Sequence, residues 1–340
     1  MAKFSCMKKL HEKSPCCRGQ IRRFGKRRRQ CIICKKTWRV WQKKRGRKKS
    51  RVSMDFFIRY LEHQMPSLLG LAKRYSLSEA VLKYRLRKSR QRFIQKTPWP
   101  SLPQGQSLIA VADAMVRYTK NGWHTFYFVL LRPAKGDCAV IVKPYIKKGA
   151  ETYSGWSEAL ERLPKKAKSS IFVLVCDGHG GLVNCARKYG WLVQRCHFHL
   201  IARLQSRRSK WKTGRHQEEG KRIYRLVNKV LTIKKEKAIL KALVELEEIG
   251  WLSSSPEIAR TLSGFIRNYK DYRTYLEHPE LNLPRTSNTA ESFIGCIQKL
   301  CQRARGFASL ESLEAWIEAL IKYKKFIKCN GVKNQPNKNT

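Results

Sequence analysis

Acidic residues are scarce in this chain of 340 residues: 24 Asp and Glu stand against 73 Lys and Arg, a formal net charge of +49. Such self-repulsion opposes compaction unless a polyanion screens it. Nucleic acid is therefore the expected partner, since each Lys or Arg near a phosphate releases a condensed counterion. Long apolar runs are missing as well. No stretch reaches the roughly 18 residues of a transmembrane helix, so none is expected. The opening Met1-Ala2-Lys3-Phe4-Ser5-Cys6-Met7 has no apolar segment of the kind a secretory leader carries, so the expected location is the cytoplasm. There is no internal repeat, no low-complexity tract beyond runs of basic residues, and no heptad pattern to mark an interface. Cysteine, by contrast, is plentiful. The 12 cysteines are scattered except near the N-terminus. Without a leader, reduced thiols and metal ligands are expected rather than a disulfide framework. An apolar fraction of 42% permits a real core, and the length suggests about two domains with a small extra module.

Residues 1–50 form a basic, cysteine-rich block ending in Lys43-Lys44-Arg45-Gly46-Arg47-Lys48-Lys49. Over 51–97, apolar residues recur at helical spacing (Phe57, Ile58, Leu61; Leu68, Leu71, Ala72; Val81, Leu82, Leu86), with Ser78 placed to cap a second, basic helix. Helix, short turn, helix is the pattern of a helix-turn-helix, with Lys83, Arg85 and Arg87 as DNA-binding candidates. Residues 98–106, rich in proline, read as a linker. From 107 the pattern changes to strands: Leu108–Val111, His124–Leu131 and Cys138–Lys143 read as three successive antiparallel strands. A helix over Tyr153–Arg162, a buried strand over Ile171–Cys176, a helix over Leu182–Tyr189 and a strand over Trp191–Arg195 complete a mixed α/β sheet. Residues 201–285 read as an all-helical insertion in which Trp251 is expected in the core, the other reading being a stack on an unpaired base. Two further helices are expected over 286–328, then a disordered tail over 329–340.

Asp113 and Asp177 each stand at the end of an apolar strand, and Glu291 at the start of a helix, in Thr286-Ser287-Asn288-Thr289-Ala290-Glu291-Ser292. Converging carboxylates offer hard oxygen ligands to Mg²⁺ or Mn²⁺, two per site, for phosphoryl transfer. Turn, cap or helix-dipole roles would account for the same residues one by one. Cys196 and His199 have Cys-x-x-His spacing; a buried thiol with a backbone-bonded histidine is one reading, metal ligation the other. In the first block, Cys31-Ile32-Ile33-Cys34 is a clean knuckle, but its partner is irregular because position 14 is Ser. Cys16 or Cys17, with His11 or Cys6, could complete a Zn²⁺ site; the favoured candidate set is Cys16, Cys17, Cys31 and Cys34. Trp38 and Trp41 follow that knuckle.

Four segments together resemble the Asp-Asp-Glu transposases of bacterial insertion sequences, within the superfamily that includes the Mutator-like enzymes. They are Ile109-Ala110-Val111-Ala112-Asp113, Val175-Cys176-Asp177-Gly178-His179-Gly180-Gly181-Leu182, Gln194-Arg195-Cys196-His197-Phe198-His199 and Thr286-Ser287-Asn288-Thr289-Ala290-Glu291-Ser292-Phe293. The resemblance covers about 107–326. It implies a multi-domain α/β protein: a ribonuclease-H-like core (107–200 and 286–328) with a helical insertion, preceded by a zinc-ribbon-like module and the helix-turn-helix. It implies Asp113, Asp177 and Glu291 as the catalytic, Mg²⁺-binding triad. It implies recognition of terminal inverted repeats by the N-terminal modules, cleavage that exposes a 3′-hydroxyl, and its joining to target DNA. A dimer or higher assembly on DNA follows, with the bacterial nucleoid as its place of work. Arg285, Lys299, Arg303 and Arg305 flank Glu291 and are expected to hold phosphates. A DNA-binding descendant without activity, or a structure-specific nuclease of the same fold, are the alternatives.

Overall fold

The computed structural model describes residues 14, 16–25, 28–39, 54–62, 68–205, 216–253, 255–304, 307 and 309–329. Cys6, His11, Trp41, Arg305 and the expected tail from 330 lie outside the described residues. The chain divides into two compact units, Met1–Arg51 and Val52–Thr340. In the first, β1 (Ile21–Arg23), β2 (Arg28–Cys31) and β3 (Thr37–Arg39) form a small antiparallel sheet in sequence order. Its strands are three or four residues long, and of its described residues only Ser14, Gly19 and Cys31 are buried.

The second unit is built on one seven-stranded mixed sheet. Strands β4 (Leu108–Thr119), β5 (Gly122–Pro133) and β6 (Cys138–Ile141) run antiparallel in succession, as the alternating aromatic and β-branched residues predict. A short β7 (Tyr145–Lys148), which sequence reasoning missed, pairs with the other end of β5. Parallel to β4 lies β8 (Ile171–Cys176), and parallel to β8 lies β9 (Leu192–Arg195). At the opposite edge β10 (Phe326–Lys328) joins β6, so the chain past the last helix is strand where helix was expected.

Both faces of the sheet are covered, which is why β5 is buried almost end to end. One face carries Leu108, Ala110 and Ala112 beneath Trp156, Leu160, Leu182 and Ala186, from α4 (Tyr153–Glu161) and α6 (Gly180–Lys188); a short α5 (Lys165–Ser170) lies between these helices in sequence. Gly181 fits against α4 so closely that a Cβ there would stand 2.8 Å from the backbone of Tyr153. We expect Gly181→Ala to lower thermal stability by about 1–3 kcal/mol, as overpacking does when the neighbour is backbone and cannot rotate away. An unchanged melting midpoint would show that the two helix starts are not locked together.

The other face carries Ile109, Val111, Val173 and Val175 beneath Phe293, Ile297, Ile317 and Leu320. These come from the two C-terminal helices, Asn288–Arg303 and Leu310–Lys324. Between β9 and this pair stands the helical insertion: α7 (His197–Gln205), α8 (His216–Thr232), α9 (Glu236–Leu252) and α10 (Pro256–Arg267), around Leu200, Val227, Leu246 and Leu262. A break at 233–235 divides what the periodicity alone reads as a continuous helical stretch. Trp251, expected in the core, is 84% exposed; Leu246 and Ile249 take the inward positions of α9 and leave the last turn outside. The two C-terminal helices are α11 and α12 below.

Residues 51–97, read as a domain of their own, share a core with this unit. Phe57, Tyr60, Leu71, Leu82 and Leu86, from α1 (Met54–Leu61), α2 (Leu68–Arg74) and α3 (Glu79–Lys96), pack with Leu300, Trp316 and Ala319 of α11 and α12. Ser78 caps α3 as expected, its hydroxyl accepting from the Val81 N–H.

Candidate active site

Sheet register brings the two aspartates level. Val111 of β4 lies opposite Val175 of the parallel β8; two residues further along each chain stand Asp113 and Asp177. The period-two alternation that puts both valines on the α11 face sends Asp113 toward that face as well. Asp113 is not at a strand end, as the short apolar run suggested. It is inside the 12-residue β4, which continues beside β5 after its pairing with β8 has stopped. An aspartate thus stands mid-strand at the place where one flank of β4 opens. Its Oδ1 accepts from the Ala114 N–H at 2.8 Å. Asp177 closes a tight turn through the His179 N–H, also at 2.8 Å.

Glu291, in the first turn of α11, is the third acid. Burial pushes the Asp113 carboxyl up to about 7, opposed by its backbone hydrogen bond and reinforced by the charges of Asp177 and Glu291. Asp113 thus feels the charge of both other carboxylates at this end of the sheet.

Several side chains fix Glu291. The Ser287 hydroxyl donates to its Oε1 at 2.7 Å, and the Cys196 thiol to the same oxygen at 3.9 Å. The thiol in turn accepts from the Ser287 N–H at 3.3 Å, and the Cys196 N–H donates to Cys176 O at 2.7 Å. His199 Nδ1 stands 3.5 Å from Glu291 Oε1, near enough for charge attraction but outside hydrogen-bond geometry. Hydrogen bonding with Cys196 pushes the His199 imidazole up to about 9, opposed by burial and aided by the charges of Cys196, Glu291 and Asp113. The ligand atoms of Cys196, His199 and Glu291 lie within 4.8 Å of one another; among the described residues the two aspartates do not join that group. His197, the other histidine of this motif, is structural: its Nε2 is 2.7 Å from Tyr272 O, and burial pushes it down to about 4.

Three contributors escaped sequence reasoning. Arg203 stands four residues after His199, on the same side of α7, with its Nη2 3.7 Å from Asp177 Oδ2. Ser287 sits inside the quoted Glu291 segment, yet its hydroxyl gave no signal apart from that segment. Glu151 precedes the Thr152 cap of α4, accepts from Trp156 Nε1 at 2.6 Å and stands 3.4 Å from His179 Nδ1. Burial raises its carboxyl from the usual range. Only the scarcity of acids could have pointed to it.

The expected cationic residues are scattered. Arg285 lies over the Tyr275 ring at 4.7 Å, and its carbonyl accepts from the His197 N–H. Arg303 is half-buried, with Nη1 donating to Tyr60 O at 3.2 Å, a brace between α1 and α11. Lys299 is exposed. On α3, Lys83 pairs with Glu79 at 2.7 Å and Arg85 is half-buried. The open face instead presents Tyr84 with Arg87 and Lys88, cations 5.8 and 4.9 Å from the ring.

In the N-terminal unit, Cys16, Cys17, Cys31 and Cys34 gather with their sulfurs within 4.8 Å of one another. Cys16 lies 3.1 Å from Cys34, and Cys17 3.2 Å from Cys31. Ser14, which cannot replace a thiolate, stays beside them at 3.3 Å from Cys16 Sγ. Four thiols so placed could bind zinc.

A family model described as Transposase, Mutator family, matches residues 136–325. The chain belongs to the Mutator family of transposases. The matched region contains Asp177, the Cys196–His199 motif and Glu291, while Asp113 and the N-terminal unit precede it. No curated protein matches the chain. Membership in the family implies a DNA substrate and a DNA-cleaving and DNA-transferring activity. No helix among the described residues is long and apolar enough to cross a membrane.

Proposed function

We propose that this transposase cleaves the ends of its element and joins them to target DNA at a site formed by Asp113, Asp177 and Glu291, on a ribonuclease-H-like core. The observation that carries the reading is the half-buried Asp113, which feels the charges of Asp177 and Glu291 at one sheet end of a Mutator-family chain. A half-buried carboxylate facing the charge of two others fits divalent cations with a taste for hard oxygen, and Asp113, Asp177 and Glu291 would hold Mg²⁺ or Mn²⁺. When bound, the metal supplies Lewis acidity to the attacking and leaving oxygens of phosphoryl transfer.

The chain's own groups do the rest. Ser287 and Cys196 hold Glu291 on its helix, and the His179 N–H holds Asp177 in its turn. Arg203, more than half exposed beside Asp177, is placed to receive a DNA phosphate. The α2–turn–α3 pair acts as a helix-turn-helix, with Tyr84 and Lys88 toward the groove. Zinc held by Cys16, Cys17, Cys31 and Cys34 organises a second DNA-binding module. Synapsis of two ends calls for two or more copies of the chain on DNA.

The test is incubation of the full-length protein with DNA carrying the element's flanking ends, in Mg²⁺ or Mn²⁺, beside Asp177→Asn. Nicking at the ends with wild type and none with the variant is the expected outcome. Tight end binding without cleavage in either metal would sink the catalytic reading and leave a DNA-binding protein.

A further inference from the structure

Helices α1–α3 and the C-terminal pair α11–α12 line an open cavity of about 570 Å³, and none of the three site carboxylates lines it. Its wall has two characters. Lys83, Arg87 and Arg90 contribute cations, while Leu86, Phe307 and Trp316 contribute apolar surface. The one acid among the described lining residues, Glu79, lies 2.7 Å from Lys83.

Arg90 is the anomaly. It is only 6% exposed, yet no carboxylate reaches it among the described residues, and its Nε has no hydrogen-bond partner. One Nη donates to the Ser312 carbonyl at 3.1 Å, and the guanidinium lies over the Trp316 ring at 5.1 Å. A carbonyl and a ring face ease the burial of a cation without neutralising it, and an uncompensated buried charge is costly. Nearby Arg87 adds repulsion. The missing component is an anion. A bare anion would leave most of the cavity and its apolar wall unused, whereas a ring system carrying a phosphate would meet both walls.

We propose that this cavity is a nucleotide-binding site, with Arg90, Arg87 and Lys83 on the phosphate and the base against Leu86 and Phe307. The nucleotide is either free or a unit of a DNA strand, and the chemistry of recognition is the same. The site is separate from strand cleavage, so its failure would leave the proposed reaction standing.

The experiment measures melting midpoints and equilibrium binding of the full-length protein at moderate salt with deoxyadenosine monophosphate, inorganic phosphate, deoxyadenosine and a short single-stranded oligonucleotide. The monophosphate is expected to raise the midpoint more than phosphate does, and the nucleoside to leave it unmoved. Arg90→Met is expected to keep or raise the ligand-free midpoint, because it removes an unneutralised buried charge. It is also expected to weaken monophosphate binding by about tenfold or more, the worth of a charge-assisted hydrogen bond. Arg87→Gln, an exposed change that leaves the core intact, should weaken binding in the same direction. Lys165→Gln, with the same loss of charge outside the cavity, should not. If only the oligonucleotide shows this dependence on Arg90, the phosphate belongs to a DNA strand and the site stands. If no ligand distinguishes Arg90→Met and Arg87→Gln from Lys165→Gln, the proposal is overturned.

Discussion

Asp113→Asn is expected to abolish strand cleavage and, in the absence of divalent cation, to make the protein more stable. Both effects come from one carboxylate. Burial and the neighbouring acids push Asp113 up to about 7 from an ordinary 3.8. A folded-state pKa above the unfolded one means that the native state binds the extra proton, so stability falls as pH rises from about 4 to about 7. Above that range the folded protein carries the full penalty, of the order of 2–4 kcal/mol once partial solvation is allowed for. Asparagine keeps the shape and removes the charge. The variant's melting midpoint should therefore exceed that of the wild type at pH 8, and the two should converge near pH 4. Mg²⁺ should raise the wild-type midpoint at pH 8 and leave the variant's nearly unmoved. Cleavage should fall by about a thousandfold, the rate equivalent of the several kcal/mol of charge stabilisation that a bound cation contributes. A variant that is less stable than wild type at pH 8 without metal, or that still cuts, would remove Asp113 from the site.

This behaviour explains why the site was only partly legible in the sequence. Asp177 and Glu291 lie in segments with several recognisable residues each, whereas Asp113 follows a short apolar run of a kind found in many strands. The run gave its residue number but the wrong place along the strand, because strand length is set by the pairing with β5, which no local pattern around Asp113 records. Glu151 and Arg203 were illegible for a related reason. Glu151 reaches the site through tertiary packing before the start of α4; Arg203 shares the His199 side of α7, but an i, i+4 spacing recurs along every helix and does not single it out. The outer helices misled in the same way. Periodicity located α1 to α3 and the cap at Ser78, but it could not say what their apolar faces meet; Trp316 and Leu300, more than 200 residues away in the chain, cover them. Arg303 shows the converse: a basic residue near Glu291 reads as a phosphate candidate, and no local pattern records that packing also brings it to Tyr60.

Stripping metal from the N-terminal unit, or replacing Cys31 by Ser, is expected to unfold that unit and leave the melting of residues 52–340 where it was. The reason lies in what the unit lacks. Three strands of three or four residues cannot hold together by ladder hydrogen bonds alone. Its described residues include no buried large apolar side chain; only Ser14, Gly19 and Cys31 are shielded. Units of this size need a covalent or metal cross-link in place of a core. The four sulfurs supply one: tetrahedral zinc with arms of about 2.3 Å spaces its sulfurs about 3.8 Å apart, and the observed separations of 3.1, 3.2 and 3.9 Å bracket that value. Hydrogen bonding to Ser14 brings the Cys31 thiol down to about 6, toward the thiolate that a metal requires, while the bond with Cys16 holds Cys34 up at about 12. Ser14, useless as a ligand, thus supports one. Structural zinc in comparable small modules contributes about 10–16 kcal/mol of folding energy, far more than so small a sheet could replace. The check is limited proteolysis with metal analysis. Chelator should open the chain between residues 16 and 39 to cleavage, zinc should restore protection, and Cys31→Ser should be cut in either condition. Protection that survives both chelation and Cys31→Ser would mean that the sulfurs gather for packing alone.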